Sequence, residues 1–362
     1  MRRYSVSELS DKLITHGRTF LDPRDDTLYI NWTCSTVEFT FRGTHLNVTL
    51  RAGCGYEFEG LPGDPNAPKR ATWPYLAVFL DDIPMPLRKF EIASPYETWL
   101  LIQSPEVQTH RIRIMKLTEN NKTFLGVTAF TAEGEFLPME RANKPHVEFV
   151  GDSITCGYGN LIKDPARHFY SVDEHGYLAY GPTAARTLGF DWSCVSVSGI
   201  TAVHHEGWQI GYAMEEIYAY TDRIGQERLG MAPEFWDFAG HPADYVVVNL
   251  GTNDCYGIQF SPDPEELSRF PGAYLAFIET IRRLNGPRTH IVCSLGSMNY
   301  YLWHDIVTVM EQYKKDTGDE RLHLLRFRPM HPLDGAGADG HPSLDTHQKM
   351  AEELAALLRT LN

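Results

Sequence analysis

Four separated stretches carry residue types that together could cleave an ester. VEFVGDSITCGYGN at 147–160 delivers Ser153 after an apolar run, and SVSGITA at 196–202 delivers Gly199. NLGTNDCYG at 249–257 delivers Asn253, and GAGADGHPSLDTHQ at 335–348 delivers Asp339 and His341. A serine hydroxyl is a poor nucleophile until a hydrogen-bonded base takes its proton, and a histidine titrating near neutrality suits that task. The attacked carbonyl develops an oxyanion, which donors fixed in advance stabilise, each by about 10²–10³ in rate. The backbone N–H groups of Ser153 and Gly199 with the Asn253 amide would supply three such donors, and Asp339 would hold the imidazole in the right tautomer. Taken alone, a serine between a strand and a helix can be a plain N-cap. Arrival of serine, glycine, amide and imidazole from four segments is harder to explain by packing.

These residues need a scaffold that brings their segments to one edge. Apolar runs at 147–150, 192–197, 244–250, 290–295 and 321–327 alternate with stretches of helical period, the pattern of a parallel sheet covered on both faces. In such a sheet ligands sit beyond the carboxyl ends of the strands, which is where all four stretches fall. Gly151, Gly157 and Gly159 allow the tight turn around the serine. The last helix is expected after Pro342 and Ser343, with His347, Met350, Ala351, Leu354, Leu357, Leu358 and Leu361 on its apolar face.

The first third reads differently. TLYINW, VEFTFRG, HLNVTLRAG, YLAVFLDD, RKFEIA, ETWLLIQ, HRIRIMKL and FLGVTAF are short β-type runs separated by turn residues at 42–44, 60–65 and 119–122. They predict a β-sandwich of jelly-roll type over residues 1–135. FLPMERANKPH lacks any period and places a linker at 136–145, with an α/β domain over 146–362.

GDSITCGYG, Gly199, GTND at 251–254 and DGHPS at 339–343 resemble the four blocks of the SGNH (GDSL-type) hydrolases. The chain is most similar to the carbohydrate esterase family 2 enzymes, which join a jelly-roll domain to an SGNH domain and remove acetyl groups from sugars. GRTF at 17–20, the 118–130 region and HPSLDTHQKMAEEL at 341–354 fit that pattern. The resemblance implies Ser153 and His341 as nucleophile and base, and Ser153, Gly199 and Asn253 as the oxyanion hole. It also implies an acetylated carbohydrate as the substrate partner, with no metal and no cofactor. One departure concerns the triad: SGNH enzymes usually carry the aspartate three residues before the histidine, where this chain has Ala338, and Asp339 stands two before. Some family 2 members work largely as a Ser-His dyad with a backbone carbonyl orienting the ring. The family places aromatic rings beside the pocket, so Trp208 and Trp303, with Asp152 beside the nucleophile, are candidate substrate contacts. Tyr256 and Tyr300 follow strand ends in the same way.

Composition narrows the alternatives. A formal charge of −14 argues against nucleic acid or an anionic membrane as partner. No stretch approaches about 18 uninterrupted apolar residues, and the N-terminus lacks an apolar signal core, so a cytoplasmic location is expected. The six cysteines form no Cys-x-x-Cys pair, and His204 and His205 read as loop histidines, so no metal site is expected. Residue 155 is threonine, which excludes the G-x-S-x-G elbow of α/β-hydrolases. Two other readings stay open: acyl transfer to a second sugar by the same residues, and a non-catalytic carbohydrate-binding protein. The second would be expected to have lost Ser153, Asn253 or His341, and all three are present.

Overall fold

The computed structural model describes residues 1–59, 66–86, 88–206, 208 and 211–361. The chain divides into two compact units. The first contains residues 1–143 together with 170–172 and 224–229, and the second contains the rest.

Unit 1 is β-rich. Its strands are β1 (Arg2–Ser5), β2 (Ile14–His16), β3 (Phe20–Asp22), β4 (Thr27–Tyr29), β5 (Thr36–Gly53), β6 (Gly55–Phe58), β7 (Lys69–Thr72), β8 (Tyr75–Leu80), β9 (Arg88–Glu91), β10 (Tyr96–Lys116) and β11 (Phe124–Leu137). Nine form one antiparallel sheet in the order β3-β4-β11-β5-β10-β8-β9, with β1 added to β11 and β2 to β5, while β6 and β7 make a separate hairpin. The expected turn at 42–44 is absent. VEFTFRG and HLNVTLRAG form the single strand β5, because Gly43 pairs with Gln108 on one side and Gly134 on the other. A Cβ at Gly43 would lie 2.2 Å from the Glu133 carbonyl, so this glycine serves close approach of backbones rather than chain reversal. Register shifts between Gln103 and Gln108 and between Glu133 and Gly134 place bulges beside it. ETWLLIQ and HRIRIMKL likewise join into β10. The turn expected at 60–65 lies outside the described residues. Phe39, Phe41, Phe130 and Phe136 are buried and meet at ring distances of 5.0–5.5 Å, each contributing about 1.5–3 kcal/mol by burial.

Unit 2 holds a five-stranded parallel sheet of β12 (His146–Gly151), β13 (Asp191–Ser196), β14 (Tyr245–Asn249), β15 (His290–Leu295) and β16 (Leu322–Arg326), in the order β13-β12-β14-β15-β16. Every residue of β14 and all but the first of β12 are buried, which is why these strands read as continuous apolar runs. The helices are α1 (Ser153–Cys156), α2 (Tyr180–Leu188), α3 (Met214–Ile217), α4 (Arg223–Arg228, of which 224–228 belong to unit 1), α5 (Thr252–Phe260), α6 (Glu266–Asn285), α7 (Trp303–Thr317) and α8 (Leu344–Arg359). In α8 the buried face runs through Thr346, His347, Met350, Ala351, Leu354, Ala355 and Leu358, and Leu361 lies beyond the helix end. The strand order reverses direction between β12 and β14, the switch point at which open α/β sheets form their ligand crevice. Gly151 sits opposite Ser196 and Asn249 there, so the chain segments leaving β12, β13 and β14 start from one edge. No helix among the described residues is long and apolar enough to cross a membrane.

Candidate active site

Asp152 breaks from the strand into α1, and its carboxylate accepts the Ile154 N–H at 2.9 Å. The Thr155 N–H bonds the Asp152 carbonyl, which leaves the Ser153 N–H outside the cap. Asp152 is therefore a buried helix cap, 1% exposed. Burial pushes its carboxyl up to about 7, against the pull of the Ile154 N–H and with the Asp254 charge adding to the push.

His341 reaches this helix from the loop before α8. Its Nε2 stands 2.9 Å from Ser153 Oγ, the separation at which the hydroxyl donates its proton to the ring. Two contacts fix the loop: the Ala338 N–H donates to the Gly159 carbonyl at 3.2 Å, and the Asp339 N–H to the Arg167 carbonyl at 2.9 Å. Gly159 has φ +61°, and a Cβ on it would lie 2.7 Å from the Ala338 Cβ. The glycine beyond the nucleophile thus creates the seat for the histidine loop. Ser343 caps α8 by accepting the Thr346 N–H at 3.4 Å.

The carboxylate of Asp339 does not complete a triad. It accepts the Tyr158 hydroxyl at 2.9 Å and the Phe169 N–H at 3.1 Å, and faces His168 Nδ1 at 3.3 Å. His341 Nδ1 is buried and closes no hydrogen bond of normal geometry. Burial pushes the ring down to about 4, opposed first by the Asp339 charge and then by the Ala338 and Asp339 carbonyls. The residue as a whole keeps some exposure to water, which works against the same push. Asp339 instead anchors a clamp: Tyr158, held by its hydroxyl, lays its ring on the imidazole at 4.2 Å and on Phe169 at 3.6 Å. Tyr158 lies inside the quoted GDSITCGYG stretch but had no role on sequence grounds. A ring five residues past a serine carries no spacing signal of its own.

On the opposite side, Gly199 adopts φ +80° in the turn after β13. Asn253, in the first turn of α5, donates from Nδ2 to the Ile200 carbonyl at 3.0 Å. Its second amide proton is only loosely held, by Asp152 at 3.4 Å. Trp208 Nε1 donates to the Gly199 carbonyl at 3.4 Å, and its ring stacks on Tyr256 and Phe260. Trp303 is less central, since it opens α7 after β15, two strands from the nucleophile. His205, read from sequence as a loop histidine, is 1% exposed and lies between two carboxylates. Among the described residues no group of three or more His, Cys, Asp or Glu side chains is arranged to hold a metal ion.

Residues 149–360, more than half of the chain, match the GDSL-like lipase/acylhydrolase family. The chain belongs to that family. Residues 15–139 match the carbohydrate esterase 2 N-terminal domain, so this member carries a second domain ahead of its acylhydrolase domain. Among relatives of this chain, the cellulase/esterase CelE of Acetivibrio thermocellus is 29% identical over 339 residues, 91% of this chain. The chain spans 37% of that protein's length. An acetylxylan esterase/glucomannan deacetylase of Cellvibrio japonicus is 26% identical over 79% of this chain and 76% of its own. A solved family two carbohydrate esterase from Clostridium thermocellum, in complex with cellohexaose, superposes with a TM-score of 0.80. It is 27% identical and the match covers 96% of this chain and 98% of that one.

Proposed function

We propose that the protein is a serine esterase that removes O-acetyl groups from carbohydrates. The observation that carries this reading is the 2.9 Å approach of His341 Nε2 to Ser153 Oγ at the switch point of the sheet. The relatives named as acetylxylan esterases and the cellohexaose complex of the solved relative support the carbohydrate part. Ser153 attacks the acetyl carbonyl while His341 takes its proton. The Ser153 and Gly199 N–H groups and the loosely held amide proton of Asn253 receive the oxyanion. As the bond from the acyl carbon to the sugar oxygen breaks, His341 gives its proton to that oxygen and the sugar leaves as an alcohol; acetyl-Ser153 remains, and water activated by the same ring releases acetate. Orientation of the imidazole falls to Tyr158 and the neighbouring carbonyls in place of an aspartate. The long bent strands β5, β10 and β11 support a jelly-roll description of the N-terminal unit.

A fluorophosphonate probe should label the protein at Ser153, and acetate should accumulate from acetylated oligosaccharides. Equal labelling of Ser153→Ala, or no release from any acetylated sugar, defeats the reading. Asn253→Ala should lower kcat by about 10²–10³.

A further inference from the structure

Behind the oxyanion side of the site runs a row of charged groups, two buried and one partly buried, that the reaction just described does not use. Asp254, fully buried in the first turn of α5, accepts the Ala202 N–H at 3.0 and 2.9 Å on its two oxygens and the Val203 N–H at 3.2 Å. It thereby ties the segment following Gly199 to the helix that carries Asn253. Oδ1 of Asp254 also lies 3.0 Å from His205 Nε2, and His205 Nδ1 lies 2.8 Å from Glu266 Oε1 on α6. The ring is seated tightly: a Cβ on Gly257 would come within 2.7 Å of its Cγ, and Phe270 stacks at 6.4 Å. An ionised carboxylate only accepts hydrogen bonds, so a ring with both nitrogens facing carboxylates carries a proton on each.

We propose that His205 is a positioning residue, a resident imidazolium that bridges Asp254 and Glu266 and so fixes the Gly199–Val203 segment and Asn253 at the spacing an oxyanion requires. This rests on the acyl-transfer reading of the site. Removing the ring's positive charge leaves Asp254 buried with its counter-charge gone, and the segment it anchors is the one that carries a donor to the reacting carbonyl. Donor placement matters most in the transition state, so the effect belongs in kcat and not in KM.

The electrostatics point the same way. Burial alone pushes the ring's pKa down, but the hydrogen bonds and charges of Asp254 and Glu266 outweigh it, and the pKa stands above the ordinary histidine value of 6.5. The other charged groups facing the row are Arg269, 3.5 Å from Glu266 Oε2, and Asp152 on the far side of Asn253. Glu215 on α3 holds the neighbouring His204 N–H at 2.8 Å, and Ser261 Oγ donates to Glu266 Oε2 at 3.1 Å. A raised imidazole pKa means that the bridge is complete below about 6.5 and is lost as pH rises through the folded value.

The test combines histidine ring NMR on the full chain with kcat and KM for p-nitrophenyl acetate hydrolysis from pH 5 to 10. His205 should carry both ring protons at neutral pH, and kcat should fall on the alkaline side as that ring deprotonates, with KM flat. Glu266→Gln should move the ring titration and the alkaline limb to lower pH together, a shift that Asp152, which Glu266 does not touch, cannot produce. His205→Gln should lose the limb and about 10- to 100-fold in kcat, as expected for a misplaced catalytic donor. If His205→Gln fails to fold, Glu266→Gln still decides the matter. A neutral His205 ring at pH 7, or an alkaline limb unmoved by Glu266→Gln, overturns the proposal. Wild-type turnover in Ser153→Ala would instead remove the acyl-enzyme reading itself, so the two failures are told apart.

Discussion

At the scale of single residues, the departure from a Ser-His-Asp triad has two measurable consequences. Asp339 sits at φ +49°, a conformation that asparagine also tolerates, so Asp339→Asn removes the charge without adding backbone strain. Loss of charge at a group holding Tyr158, Phe169 and His168 should cost about 1–2 kcal/mol in denaturant unfolding. The same substitution should lower kcat/KM by less than about tenfold, roughly 1 kcal/mol of barrier. A loss equal to that of His341→Ala would show the carboxylate serving the imidazole directly. The second consequence concerns pH. Because burial depresses the His341 ring toward about 4, the base stays unprotonated in mildly acid solution. The acid limb of kcat/KM should therefore fall between about 4 and the ordinary 6.5, and a limb at or above 6.5 would contradict the burial argument. Stability follows the same sign: the unfolded ring takes up a proton below 6.5 that the folded ring refuses, so folding weakens as pH drops from 6.5 toward 4. His347, buried in α8 and depressed to about 3, adds to that loss. Ser153, Gly199, Asn253 and His341 were readable because each ends a recognisable strand or opens a helix among small residues. Tyr158, His168, His205 and Glu266 were not, since their roles exist only through contacts with partners dozens to nearly two hundred positions away.

At the scale of elements, the reaction depends on how closely the loop before α8 can approach α1. Gly159→Ala puts a methyl 2.7 Å from the Ala338 Cβ at φ +61°, and the loop carrying His341 must shift to relieve it. A displacement of that kind should lower kcat by about 10² while leaving the overall fold intact by circular dichroism. Gly189→Ala is the control. It too has positive φ, +72°, at the end of α2, but nothing lies within 4 Å of the added atom. It should cost about 1–2 kcal/mol of stability and leave kcat untouched, and equal losses of activity in both variants would sink the argument from loop seating. The five parallel strands were legible because burial on both faces makes them uniformly apolar. The long strands of unit 1 were not: Gly43 looks like a turn residue in one dimension and becomes a close-approach site only when β10 and β11 flank it.

At the scale of the whole chain, the two units are not cut cleanly in sequence. Unit 1 includes residues 170–172 and 224–229, supplied from chain well beyond its main segment, which ends at residue 143. The buried Glu57 accepts the Ser171 N–H at 2.6 Å, Lys89 donates to the Val172 carbonyl at 2.7 Å, and Arg228 donates to the Asn120 carbonyl at 2.8 Å. Arg70 lies over the Tyr170 ring at 3.8 Å. A fragment of residues 1–143 lacks all of these partners, and Glu57 in particular loses a bond made away from water. Its unfolding midpoint in urea should lie below that of the first transition of the full chain, and adding the peptide 165–232 in trans should raise it. A fragment as stable as the intact chain would show those segments to be passengers. The same threading sets an order on synthesis. The β-rich unit begins the chain, yet its last piece leaves the ribosome only after residue 229, when β12 and β13 have already emerged. Unit 1 therefore waits, incomplete, on later-made chain, so a stall or a chaperone acting before that point would meet a β-sheet whose strands are all made but which still lacks the contacts of residues 170–172 and 224–229.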